Sequence, residues 1–375
     1  MTNIYFYLTE GSRIFITSWK HRLFKKKLKG NAKQICEQIV KNCWNGKYFQ
    51  TSTTNFPQFW TRDFGWCTKS LLKLGYKKEV HKTIRYALNC FQKKGKITTT
   101  ISPKNKPFDF PNYSVDSLPW LIHSIKISKF DYNNYLPFLN KEIIRFFNIV
   151  INNKTKLVTE NKQFSSMKDF SIRKSSCYDN CMLIMLINDI MEINHKNHVK
   201  KLKNPFYHHK SISKTKKYYT DLLIENFWNE EYFYDDLQKK DYFASDANIF
   251  PIMLGITSNK KIINKIINRI ISEELDQPLP LCYTKKNKEV SFIPQELFLK
   301  NYEFNTAWTH MGPLWIKTVK HYHPELAKEY KLKYKKMIEK EGGFVEVLNK
   351  DGKIFNTPFY YADKTMLWAA NYLTI

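Results

Sequence analysis

Apolar residues recur at intervals of three and four along nearly the whole chain. The pattern runs through "NAKQICEQIVKNCW", "CTKSLLKLGYKKEVHKTIRYALNCF", "SVDSLPWLIHSIKI", "YLPFLNKEIIRFFNIVI" and "CYDNCMLIMLINDIMEI". It resumes in "SKTKKYYTDLLIENFW", "ANIFPIMLGI", "KKIINKIINRIISEEL", "NTAWTHMGPLWIKTVKHY" and "PELAKEYKLKYKKMIEK", and "YADKTMLWAANYLTI" closes the chain. This is the period of a helix with one buried face, and runs that alternate as strands do are few. The spacing predicts roughly eleven to thirteen helices and an all-α fold. No linker rich in Pro, Gly or Ser divides the chain, so residues 31–375 read as a single domain behind a basic N-terminal arm, residues 1–30. That arm lacks the uninterrupted apolar run and small-residue cleavage site of a signal peptide.

Short links such as "GYKKE" and "YHPE" alternate with longer ones rich in aromatic, proline and acidic residues. The longer ones include "TTNFPQFWTRD", "TTTISPKNKPFDFPNYSVD", "TPFYYAD" and the stretch around "EEYFYDDLQKKDYFASD". A ring of helical hairpins has this rhythm, with tight turns at one end and functional loops at the other. Loops held by a rigid scaffold are where binding and catalysis concentrate.

Composition narrows the function. The formal net charge of +27 invites a nucleic-acid reading. Yet of 61 basic residues only seven are Arg, namely Arg13, Arg22, Arg62, Arg85, Arg145, Arg173 and Arg269. Arg supplies the bidentate fork for phosphate and guanine. The lysines are scattered, with only "KHRLFKKKLK" forming a dense block, so no nucleic-acid partner is expected. No apolar run reaches the length of about 18 residues that a membrane span needs, and no membrane partner is expected. Seven cysteines at irregular spacing suit buried thiols in a reducing, cytoplasmic setting better than a disulfide framework. Cys177 and Cys181 lie one helical turn apart without a second pair to complete a zinc site. The paired histidines (His195 with His198, His208 with His209, His321 with His323) lack carboxylate or thiol neighbours at ligand spacing. No metal or cofactor is expected.

Asp63, Asp116, Asp169, Asp246 and Asp363 each sit where a long loop meets a helix. Taken singly, each reads as a helix cap, since a carboxylate is comfortable at the positive end of the helix dipole. Their repetition, in company with Trp60, Trp66, Trp120, Trp308, Trp315, Tyr360 and Tyr361, points instead to a shared polar pocket with aromatic walls.

"FWTRDFGW", then "NYSVDSLPWLI", then "GGFVEVLNKDGKIF" ahead of a final aromatic helix resemble the six-hairpin, (α/α)6-toroid glycoside hydrolases. Neutral and alkaline invertases and the glycogen debranching glucosidases are the most similar groups. The resemblance spans about residues 31–375 and rests on the ordered set of three motifs. It implies an (α/α)6 toroid in which Asp116 is the general acid, Glu346 the general base, and Arg62 and Asp63 bind the sugar before the scissile bond. Two carboxyl groups of opposed protonation are what glycoside hydrolysis requires. Their position in or beside long loops adds Trp60, Asp169, Arg173, Asp246, Trp308 and Tyr361 as candidate substrate-binding residues. Val347 and Leu348 stand where invertases carry aromatic residues, which alters that part of the pocket. The resulting expectation is an inverting hydrolase of a small glucoside or an α-glucan end. The alternatives are a carbohydrate-binding or regulatory protein on the same toroid without turnover, a lyase or epimerase with a central His or Tyr base, and a basic helical protein associated with nucleic acid.

Overall fold

In a computed structural model, which describes residues 2–24, 27–196, 201–285 and 289–375, the chain forms thirteen α-helices. Lys25 and Lys26 of the basic block, and His198, lie outside the described residues. The helices are α1 (Thr2–Leu23), α2 (Ala32–Cys43), α3 (Thr61–Lys73), α4 (Lys77–Lys94), α5 (Ser117–Ser128), α6 (Leu136–Val150) and α7 (Cys177–Lys196). They continue with α8 (Ile212–Phe227), α9 (Ser245–Met253), α10 (Lys260–Ser272), α11 (Met311–Val319), α12 (Pro324–Glu341) and α13 (Ala369–Tyr372).

Six helices form an inner ring. α3 packs on α5, α5 on α7, α7 on α9, α9 on α11, α11 on α13, and α13 returns to α3. α2, α4, α6, α8, α10 and α12 lie outside, each against an inner helix, and α2 closes the last hairpin against α13. The fold is an (α/α)6 toroid. The sequence explains which helix goes where. In α7 every residue from Cys177 to Ile187 is buried, as a helix surrounded on all sides requires. In α10 the buried set is Ile262, Ile263, Ile266, Ile267 and Ile270, one stripe with its opposite face in water.

Inner helices pack closely where the side chain is smallest. A Cβ added at Gly65 in α3 would stand 2.6 Å from Cβ of Trp120 in α5, so only glycine allows this approach. Helix ends are set locally. Asn31 and Gln34 cap α2 reciprocally, each side chain accepting from the other's backbone N–H at 3.0 and 2.9 Å. α4 stops at Gly95, whose φ of 75° suits glycine.

The rule of alternating loops holds with one departure. Links of three to seven residues follow α3, α5, α9 and α11, whereas the connection after α7 runs from 197 to 211. The loops entering the inner helices are long, and two of them, 151–176 and 273–310, are longer than the motifs alone indicate. Five two-residue strands brace them. β1 (Phe59–Trp60), β2 (Thr100–Ile101) and β3 (Pro107–Phe108) form one antiparallel sheet; β4 (Ala307–Trp308) pairs with β5 (Val347–Leu348) in another. The register Trp308↔Val347 sets Trp308 beside Glu346.

α1 lies across the long-loop end. Arg13 Nη2 donates to the carbonyl of Asn55 at 2.9 Å, and Gln58 Nε2 to Glu10 Oε2 at 2.6 Å. Arg22 Nη2 reaches Asn356 Oδ1 at 2.6 Å, and the Ser18 hydroxyl faces the carbonyl of Tyr361 at 3.5 Å.

Candidate functional site

The starts of the inner helices meet at one end, and the contacts between them build the site. Arg62 and Asp63 open α3. Asp116 occupies the cap position of α5 without making a side-chain cap bond. Its carboxylate turns inward: Oδ2 takes the Nε of Arg62 at 2.5 Å and the hydroxyl of Tyr178 at 3.0 Å, while Oδ1 takes Ser114 at 2.8 Å. Asp116 and Tyr178 are fully buried. Arg62 also faces Asp169, with both terminal nitrogens at 3.5 Å from its carboxylate. Burial opposes the charge on Arg62, but Asp116 and Asp169 hold the guanidinium firmly charged.

Asp169 differs from Asp116 in setting. Its side chain keeps 15% of its surface against none for Asp116. It accepts from the Ser165 hydroxyl at 2.5 Å and the Ser166 N–H at 3.2 Å, and burial raises it above the ordinary carboxylate range. Asp63 accepts from Trp368 Nε1 at 2.9 Å, and burial pushes it up to about 7.

Glu346 arrives from the loop before α13. One oxygen accepts from the hydroxyl of Tyr302; the other accepts from Tyr360 at 2.5 Å and from the Asp363 N–H at 2.9 Å. Burial lifts this carboxyl to about 7, with those donors pulling the other way. The next residue after Tyr302 ties this corner to Asp169. The Glu303 carboxylate accepts the N–H groups of Asp169, Phe170 and Ser171 at 2.6–3.0 Å. One loop therefore touches both carboxylate centres.

Arg173 and Asp246 do come together, but in a closed ionic quartet with Lys168 and Asp235. Arg173 Nη1 lies 2.9 Å from Asp246 and 3.4 Å from Asp235, and Lys168 Nζ lies 3.0 Å from Asp235 and 3.2 Å from Asp246. All four are buried. Arg173 Nη2 also donates to the Ser166 hydroxyl at 2.5 Å, which ties the quartet to the loop that carries Asp169. Asp363 is structural too, binding Ser52 at 2.6 Å, the Asn55 N–H at 2.7 Å and the Thr365 N–H at 2.7 Å. The capping explanation thus fails for Asp63, Asp116 and Asp246, whose side chains bind other elements.

The aromatic wall is half-buried. Trp60 meets Phe56 and Phe110 edge-on at 6.1 Å, and Trp308 meets Tyr302 at 4.6 Å. Behind them, the buried His310 ring stacks on Trp66 at 4.4 Å, and burial keeps it neutral. The Tyr361 carbonyl accepts from Asn55 at 2.9 Å, and the neighbouring Tyr360 supplies the hydroxyl at Glu346. Sequence reasoning missed Tyr178, Tyr302, Glu303, His310 and the quartet's Lys168 and Asp235. Among the described residues no three His, Cys, Asp or Glu side chains form a group able to hold a metal ion.

Comparison with solved structures places the architecture. A rhamnosidase from Klebsiella oxytoca with rhamnose bound superposes with a TM-score of 0.63 at 8% identity, over 93% of this chain and 65% of its own. The fold is that of the six-hairpin glycosidases. Mannosylglycerate hydrolase from Thermus thermophilus, in complex with Tris and D-glycerate, gives a TM-score of 0.60 at 11% identity over 91% of this chain and 98% of that one. Neutral trehalase from Saccharomyces cerevisiae gives 0.58 at 10% identity over 85% and 71%. At these identities the six-hairpin likeness is one of fold. This chain spans about two thirds of the rhamnosidase and nearly all of the hydrolase. No protein-family model matches the sequence, and no curated protein does.

Proposed function

We propose that this protein hydrolyses glycosidic bonds at the long-loop end of the toroid, with Glu346 activating water. The observation that carries the reading is the Glu346 carboxyl itself. It is buried, gripped by two tyrosine hydroxyls, and lifted to about 7. A base poised near neutral pH suits proton abstraction from water.

The proton donor must be neutral at rest and must reach the leaving oxygen. Asp116 was the expected donor. It is fully enclosed, and three donors, one of them a guanidinium, already occupy its two oxygens, so it has no free edge to offer a leaving group. Asp169 is more accessible, and burial favours its neutral form. The geometry therefore supports Asp169 for proton donation, with Asp116 orienting Arg62. Arg62 and Asp63 would hold the sugar before the scissile bond, against Trp60 and Trp308. Inversion requires room for a water, with carboxyl groups about 6.5–9.5 Å apart. A small glucoside or an α-glucan end remains the proposed substrate class, and the known proteins sharing the fold include hydrolases of small glycosides by name.

A binding protein without turnover is the second reading. It is favoured by the full occupancy of the Asp116 and Glu346 oxygens by protein donors. A release assay on sucrose, trehalose, maltose, isomaltose and glycogen separates the two, with Glu346→Gln as control. Sugar release that the variant lacks supports hydrolysis. Binding by calorimetry without release supports the second reading.

A further inference from the structure

α1 is turned inside out for a helix on a protein surface. Its polar residues Glu10, Arg13, Ser18 and Arg22 face the toroid, where each has a partner. Ser12, Phe15, Ile16, Trp19, Lys20 and Leu23 face outward at helical spacing. Phe15 and Trp19 are 40% exposed, Ile16 53%, Leu23 68% and the adjoining Phe24 74%. Ile172, Leu297 and Phe359, from three loops of the same end, are also exposed. Among the described residues, only Tyr207, Ile271 and Leu332 are comparably exposed large apolar side chains elsewhere. An apolar face gathered at one end marks an interaction surface.

Charge selects the partner. "WKHRLFKKKLK" carries Lys20, Arg22, Lys25, Lys26, Lys27 and Lys29 with no acidic residue, on a chain of net charge +27. Two copies meeting through this face would bring like charges together. A helix with Trp, Phe and Leu on one face, continued by a polybasic run, combines the two signals that hold a protein on an anionic lipid surface. We infer that the outward face of α1 docks on an anionic membrane surface. The helix lies along the interface and does not cross it, as no described helix is long and apolar enough to span a membrane. The contacts of Arg13 and Arg22 keep the body attached, so the long-loop end faces the lipid.

Vesicle binding needs no turnover, so it can be measured whatever reaction the toroid performs. The full-length protein is floated with vesicles of phosphatidylcholine alone and with vesicles in which phosphatidylserine replaces part of it. Binding is expected only to the second, and it should weaken as salt is raised. Trp19→Ser with Leu23→Ser changes exposed side chains and should leave the melting temperature unchanged while reducing binding on the order of tenfold or more. Lys20→Glu should weaken binding to anionic vesicles. Equal binding to both vesicle types, no binding to either, or undiminished binding by the double variant would overturn the inference. So would a concentration-dependent dimer in light scattering that Trp19→Ser abolishes, which would assign the face to a second copy.

Discussion

Nε of Arg62 lies 2.5 Å from Oδ2 of Asp116, and both side chains are buried. A paired buried charge is costly to orphan. Removing one partner leaves the other without compensation, typically at about 3–5 kcal/mol. Arg62→Met should therefore lower the denaturation midpoint strongly, whereas Asp116→Asn with Arg62→Met together should lose less than the sum. Urea melts of the three variants check this.

The proposed division of labour between Asp169 and Asp116 has a kinetic signature. A variant lacking the proton donor should lose about 10²–10⁴-fold on substrates with poor leaving groups. It should lose much less on aryl glycosides, whose leaving group needs no proton. Asp169→Asn should behave this way, and Asp116→Asn should lose activity on both classes alike. The reverse pattern would return the donor's role to Asp116.

In the proposed reaction Glu346 must be ionised to activate water. With its carboxyl at about 7, kcat/KM should rise with pH through that value. Tyr302→Phe removes a donor that favours the ionised form, so the rise should move to higher pH. Glu346→Gln should abolish turnover on every substrate. A pH profile of wild type and Tyr302→Phe is the measurement.

Asp63 and Glu346 also link stability to pH. Each has a folded-state value near 7, above the ordinary carboxylate range of an unfolded chain. The folded state then holds the extra proton. Their contribution is fully present below the unfolded values, near pH 4, and is lost as pH rises through about 7. Thermal melts should show stability falling over that window, and Asp63→Asn should flatten part of the fall.

Gly65→Ala would drive a methyl into Trp120 at the α3–α5 crossing. Overpacking of this kind costs about 1–3 kcal/mol, and here it acts between the helices that present Arg62 and Asp116. Loss of activity should accompany the lower melting temperature.

The helices were legible because burial imposes a period on the residues of each one. Arg62, Asp63 and Asp116 were legible for a related reason: they stand at the first turn of periodic segments. Tyr302 and Glu303 were not, since the 273–310 loop is irregular and its partners lie far away in sequence. Tyr360, whose hydroxyl binds Glu346, was not singled out as a site residue, because its segment has no period to fix which side chain turns inward. α13 is shorter than its apolar pattern predicts because Asp363 and the Thr51 carbonyl hold residues 363–367 to the loop before α3.

The last hairpin of the ring pairs helices far apart in the sequence, α2 against α13. A chain emerging from the ribosome must hold five hairpins open until residues 369–372 appear, because only then does α3 gain its second inner neighbour. Trp368, which binds Asp63, and Asn371, which accepts from Ser70 at 2.6 Å, arrive in that same final stretch. The site is thus completed only once this stretch is in place, and deleting residues 369–375 should leave a molten ring in place of a slightly smaller toroid.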